Sequence, residues 1–154
     1  MQGDNMIRTL VAVSAIVGVT TVVLAQSDAV ATRKELMGTI AGHAWSAFPK
    51  MVKGQEPYEQ AKVDAGFAQM SDAVQKLPAQ FPPDTKGATR PGSNYFASPK
   101  IWENKADFDA RLAKFSKDIA AARPKVTSLD GLKEALPGLN ENCNSCHDLY
   151  RARK

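Results

Sequence analysis

Few side chains in this chain of 154 residues can do chemistry unaided: it holds two cysteines and two histidines. It lacks a Ser-His-Asp arrangement, a phosphate-cradling loop and a paired-carboxylate motif, so the common hydrolytic and phosphoryl-transfer designs are set aside. Acidic pairs such as Asp107 and Asp109 read as helix surface. Charge of one sign is scarce as well, because 20 Lys and Arg stand against 16 Asp and Glu and leave a net +4. That balance is far from a polybasic nucleic-acid binder. No β-rich run is visible, so the strand that precedes a thioredoxin-like dithiol is missing. With 44% hydrophobic and 23% charged residues, the chain suffices for one domain with a real core and is too short for two ordinary ones.

The N-terminus needs separate treatment. Arg8 precedes TLVAVSAIVGVTTVVLA, a small or apolar run of 17 residues from Thr9 to Ala25, and polar sequence begins at Gln26. A charged start, an apolar middle and Val23-Leu24-Ala25 before Gln26 read as a secretory signal peptide, residues 1–25, cleaved after Ala25. An uncleaved anchor is the rival, because the run sits at the short edge of the roughly 17–25 residues a span needs. Asp4 suits a basic leader poorly, and a start at Met6 leaves a conventional Met6-Ile7-Arg8. Cleavage removes one Arg and one Asp, so the mature residues 26–154 keep the net +4. Export places the domain in a periplasm, an oxidising compartment, with no stable membrane insertion once the leader is gone.

Four segments of the mature chain carry helical periodicity. The first runs from about Asp28 to Phe48, with Leu36, Met37, Ile40, Ala44 and Ala47 on one seam that also admits His43, and with Pro49 as a stop or kink. The second opens near Pro57 and carries Val63, Phe67, Met70, Val74 and Leu77 before Pro78 ends it. From Pro78 to Lys100 there are five prolines, two glycines and no sustained period, which predicts a long loop without a regular element, pinned to the core by Phe81, Tyr95 and Phe96. The third helix spans about Pro99 to Arg123 on Ile101, Phe108, Leu112, Phe115, Ile119 and Ala122. Lys105 interrupts that stripe, and Trp102 lies beside it to cap one end of the core. The fourth starts after Ser128 and is interrupted around Pro137-Gly138. Four amphipathic helices with one long crossover predict an all-α, antiparallel four-helix bundle.

The last helix carries the chemistry. Leu129, Leu132, Leu136, Leu139, Cys143, Cys146 and Tyr150 follow at alternating steps of three and four, which puts both cysteines on the buried seam. Together with His147 they spell C-N-S-C-H, the motif in which two thiols bond to haem vinyl groups and the next residue offers an iron ligand. On a helix these three side chains span an arc of about 100°, so all can face one flat ring. A redox dithiol and a zinc site are the competing readings. The first wants an exposed pair after a strand, and the second a fourth ligand for which only His43 remains. Opposite the iron, periodicity leaves three choices open: Met37, His43, or an open face. Met51 and Met70 read as core fillers.

An attachment motif so close to the C-terminus, in CNSCHDLYRARK, resembles the class II cytochromes c, the cytochrome c′ group. The resemblance covers the whole mature chain, through RKELM, KGQEPYEQAKVDA, SPKIW and DGLKEAL, and is strongest with the low-spin branch. It implies one covalent haem c and a methionine sixth ligand from a KLM-like stretch of the first helix. That stretch is Lys34-Glu35-Leu36-Met37 here, with Glu35 placed between the lysine and the leucine. On this reading Met37 and His147 ligate iron, Cys143 and Cys146 hold the porphyrin, and Arg33, four residues before Met37, reaches a propionate or stays a solvated helix residue. The implied function is single-electron transfer between redox protein partners, without enzymatic turnover and with homodimer formation left open. The alternative is a high-spin relative whose open distal face binds NO or CO; a helical binding module without haem is the third class. Arg151, Arg153 and Lys154 follow the attachment helix, where they favour its dipole and can steer an acidic partner.

Overall fold

The computed structural model describes residues 14–89 and 92–153, with side chains from Asp28 onward. The start of the expected leader, residues 1–13, lies outside the described residues. Its remainder forms the beginning of α1 (Ser14–Ala41). Among the described residues no helix is long and apolar enough to cross a membrane.

The first long helix does not stop at Pro49. It passes through a π-helical turn, Gly42–Ala47, into α2 (Phe48–Val52), and the amide of Phe48 donates to His43 O, five residues back. A proline ring collides with the carbonyl four residues earlier in an ordinary α-helix, and a widened turn just ahead of it relieves that collision. α3 (Gln60–Lys76) places Val63, Phe67, Met70 and Val74 in the core as the periodicity requires, and Leu77 follows in a 3₁₀ turn. The third helical region is split: α4 (Lys100–Glu103) ends at Asn104, whose φ of −132° and ψ of 53° are not helical, and α5 (Lys105–Ala122) begins afresh. The break sits beside Lys105, the flaw in the apolar stripe, whose ammonium pairs with Asp109 at 2.5 Å.

α6 (Leu129–Tyr150) corrects another expectation, because it continues through Pro137. Losing one helical hydrogen bond at a proline costs ~3 kcal/mol. Against that, Leu136 and Leu139 are buried on either side, each contributing roughly 1.5–3 kcal/mol, and Pro137 itself faces water, which can satisfy the orphaned carbonyl. Ser128 caps the start, its Oγ accepting from the amide of Gly131 at 3.2 Å. Gly131 must be glycine for a packing reason: a Cβ there would stand 2.7 Å from Lys125 O.

The four long helices form the antiparallel bundle. α1 packs on α3, α3 on α5, α5 on α6, and α2 closes against α6. The expected featureless crossover contains two 3₁₀ turns, Leu77–Gln80 and Pro83–Thr85, and a strand, β1 (Tyr95–Ala97). β1 pairs antiparallel with β2 (Arg151–Arg153), in the register Tyr95↔Arg153, Phe96↔Ala152 and Ala97↔Arg151. Phe81 is buried and Phe96 half-buried as anticipated, whereas Tyr95 points outward at 48% exposure, because alternate residues of a strand face opposite ways. Trp102 meets Phe81 edge-on at 6.2 Å and donates Nε1–H to Pro82 O at 3.1 Å, which ties the crossover to the bundle end.

Candidate functional site

The alternation of three and four along α6 brings Cys143, Cys146 and His147 to the inner side of its last turns, all three partly buried. Cys143 S–H donates to Leu139 O at 3.4 Å. Burial pushes its thiol up to about 11, helped by the neighbouring Cys146, and burial raises Cys146 too. A reactive dithiol requires a lowered value, so these sulfurs are poor exchange catalysts. Burial, then the Arg151 cation, holds the imidazole of His147 below its usual value, with Asp148 opposing, so the ring stays neutral near pH 7. Its Nδ1 is buried without a hydrogen-bond partner.

Two cavities flank these groups. One, of about 230 Å³, lies between α1 and the β1–β2 clip; Met37, Phe96, Ala97, Cys146, His147 and Tyr150 are among its walls. A smaller one of about 40 Å³ continues on the other side, walled by Met37, Ile40, Trp45, Leu112, Cys143 and His147 among others. Met37, Cys146 and His147 line both. Met37 from α1 thus shares this slot with His147 from α6.

His43 is elsewhere: its Nε2 lies 2.8 Å from Gln69 Oε1 and its ring lies against Phe48 at 5.7 Å. Met51 and Met70 are core residues, as expected. Arg33 is no solvated helix residue, being 7% exposed. Its Nε donates to Gln80 O at 2.5 Å, Nη2 donates to Thr85 Oγ1, and the guanidinium lies over the rings of Phe81 and Trp102. Burial lowers its pKa to about 10, with Asp84 opposing. The same side chain lines the larger cavity.

Three features of the site escape sequence reasoning. Trp45, on the π turn, meets the His147 ring edge-on at 5.9 Å while remaining 44% exposed. Tyr150 closes the larger cavity and donates Oη–H to Asp107 at 2.5 Å; Arg111 Nε reaches the same carboxylate oxygen at 2.7 Å and Nη1 reaches Ser145 O at 3.4 Å. Finally, β1 supplies a cavity wall from the middle of the crossover. Tyr150 is at least signalled by its place on the seam of α6. Nothing periodic signals the other two.

The donor set fits haem c. Two thiols and a neutral imidazole share one side of a helix, an imidazole nitrogen is buried and unpartnered, and the flanking walls are mostly apolar. Among the described residues no group of three or more His, Cys, Asp and Glu side chains could hold a metal ion by itself, so the zinc reading finds no fourth ligand.

Comparison with known proteins points the same way. The family described as Cytochrome C' matches residues 28–151. Cytochrome c-556 of Rhodopseudomonas palustris is 35% identical over 97% of this chain and 99% of its own length, and a cytochrome c′ of the same organism is 39% identical over 85% and 86%. Among solved structures, cytochrome c′ of that organism superimposes with a TM-score of 0.72 at 38% identity, over 82% of this chain and 98% of its own. Its cytochrome c556 gives 0.72 at 34% over 83% and 98%. The chain therefore belongs to the cytochrome c′ family of four-helix-bundle cytochromes and has that family's single, covalently attached haem c as its cofactor.

Proposed function

We propose that this protein is a periplasmic one-electron carrier, not an enzyme, whose haem iron is held between His147 and Met37 while Cys143 and Cys146 anchor the porphyrin. One observation carries the reading: Met37 and His147 come from different helices and line both halves of the same slot. When bound, the haem supplies a ferric/ferrous couple. The protein's task is to keep its ligands in place through that change. Imidazole and thioether suit both charge states, and a methionine favours a higher potential than a second nitrogen ligand would. Half-burial of Met37 among packed side chains holds the thioether where it is needed, and the neutral form of His147 leaves a lone pair free for a metal. Arg33 lines the same cavity with a fixed cation and is proposed to face a propionate.

Residues 1–25 are proposed to be a secretory leader that delivers the carrier to the periplasm. The family match begins at residue 28, just beyond the proposed cleavage after Ala25. Redox proteins are the proposed partners, and a homodimer of bundles is compatible with the fold.

A second reading has a specific support. A cytochrome c′ of Alcaligenes xylosoxidans, of which a point mutant has been solved as a nitric oxide complex, superimposes with a TM-score of 0.68 at 30% identity, over 84% of this chain and 97% of its own. An open distal face that binds small gases is therefore the alternative. Near-infrared absorption of the ferric protein separates the two. His/Met ligation gives a methionine-to-ferric charge-transfer band that Met37→Ala abolishes; a spectrum without the band, unchanged by that substitution, overturns the assignment.

A further inference from the structure

The β1–β2 clip gives the rim of the larger cavity a chemical character of its own. Along β2, Arg151 and Arg153 are exposed while Ala152 turns inward, so both guanidinium groups rise from the same outer face, their α-carbons about 6.6 Å apart. Tyr95 lies opposite Arg153 in the ladder, and the Arg151 guanidinium stands 4.7 Å from the centre of its ring. Arg151 and Lys34 also line the cavity itself, and Lys34 is exposed. Among the described residues neither arginine nor Lys34 forms an ion pair; Lys53, Lys100, Lys117, Arg123 and Lys125 are likewise without one, but none of those five lines either flanking cavity. Asp148, exposed on the last turn of α6, pairs with neither arginine. Arginine and tyrosine are the residues that most often anchor interfaces, and unpaired guanidinium groups invite bidentate carboxylates.

We propose that this face, Tyr95 with Arg151 and Arg153, is the docking surface through which an acidic electron-transfer protein meets the haem cavity; the inference rests on the carrier reading above. The clip is fixed to the attachment helix, since β2 follows α6 without a break and Ser98 N–H donates to Tyr150 O at 2.9 Å. A partner whose carboxylates engage the two arginines is thereby placed against the cavity wall built by Phe96 and Ala97. A second copy of this chain is a poor occupant, because it would bring like charges together on a molecule of net +4.

The test uses the exported holoprotein and two probes of opposite role. Ferricyanide takes one electron from the ferrous protein and becomes ferrocyanide; a reduced flavodoxin, a small acidic protein, gives one electron to the ferric protein. Bimolecular rates are measured against ionic strength for the wild type, Arg153→Gln, the double variant Arg151→Glu/Arg153→Glu, and Lys117→Glu, an exposed residue that lines neither cavity. The proposal predicts that the double variant slows both reactions roughly tenfold at low salt, that the difference fades as salt screens it, and that Arg153→Gln falls between. Lys117→Glu should change either rate much less, and the reduction potential should stay put in Arg153→Gln. Because the double variant changes twice as much charge, slowing by Lys117→Glu of half the logarithmic size or more would assign the effect to overall charge and overturn the docking surface. Slowing with ferricyanide but not with flavodoxin would reduce the face to a small-anion site, and a potential shift in place of a rate change would make the arginines haem partners. Either result also overturns it. Failure of both probes to react with the wild type would instead overturn the carrier reading.

Discussion

Asp107 shows how much of the site is settled by single side chains far from the haem motif. Its carboxylate accepts from Tyr150, a wall of the larger cavity, and from Arg111, whose other arm reaches the backbone at Ser145 between the two cysteines. Hydrogen bonds from Arg111 and then Tyr150 hold its pKa below the usual carboxylate range. A carboxylate depressed in the folded state contributes stability that is complete above its unfolded value and is lost as pH falls through the folded one. Thermal unfolding of the holoprotein should therefore show a midpoint that declines on acidification, and Asp107→Asn should start lower at neutral pH and decline less. Parallel curves for the two proteins would contradict this. Cys143, Cys146 and His147 stand out in the sequence because a covalent motif fixes their spacing, and the proposed ligand Met37 stands out only through the resemblance of the stretch before it. Asp107 and Arg111 are not, since their partners lie 43 and 34 positions away and no local pattern encodes such a pairing. Arg33 stands out in the sequence, but its burial against Phe81, Trp102 and Thr85 depends on where the crossover lies.

Elements place these residues, and the joints between elements are the hardest part to foresee. Helical seams on α3, α5 and α6 can be read because apolar residues recur at steps of three and four. Pro49 reads as a stop or kink, Pro137 as an interruption and Pro78–Lys100 as featureless chain, because proline signals a lost hydrogen bond without saying whether packing or water makes up for it; the first helix in fact widens and continues, α6 is unbroken, and the crossover holds two 3₁₀ turns and a strand. At Pro49 the answer is the π turn that carries His43 and Trp45 past α3 and α6. Gly66 on α3 is what lets that turn approach: a Cβ there would stand 2.8 Å from Phe48 Cζ and 2.9 Å from His43 Nδ1. Phe48 is fully buried and stacked on Phe67 at 5.3 Å, so it has little room to yield. Gly66→Ala should destabilise the holoprotein by about 1–3 kcal/mol in denaturant unfolding, the usual cost of overpacking. An unchanged midpoint would show that the turn can move away. Strand β1 is invisible for a different reason: three residues that pair with the chain terminus leave no periodic trace of their own.

At the scale of the whole molecule, the bundle is a frame that brings Met37 of α1 and His147 of α6 to one slot, and the proposed leader would decide where that frame works. If residues 1–25 are a signal peptide, the holoprotein recovered from a periplasmic fraction should begin at Gln26, by intact mass, with one haem added. A mass that retains the leader would instead describe an anchored form. The bundle itself is shared by relatives named cytochrome c-556 and by relatives named cytochrome c′. Architecture alone therefore does not choose between a closed and an open iron; on the proposal above, the side chain at position 37 does. Carbon monoxide titration of the ferrous protein asks that question most directly. With Met37 closing the distal face, the visible spectrum stays essentially unchanged through a stoichiometric addition of the gas, while Met37→Ala responds at once. A prompt, stoichiometric change in the wild type would contradict the account.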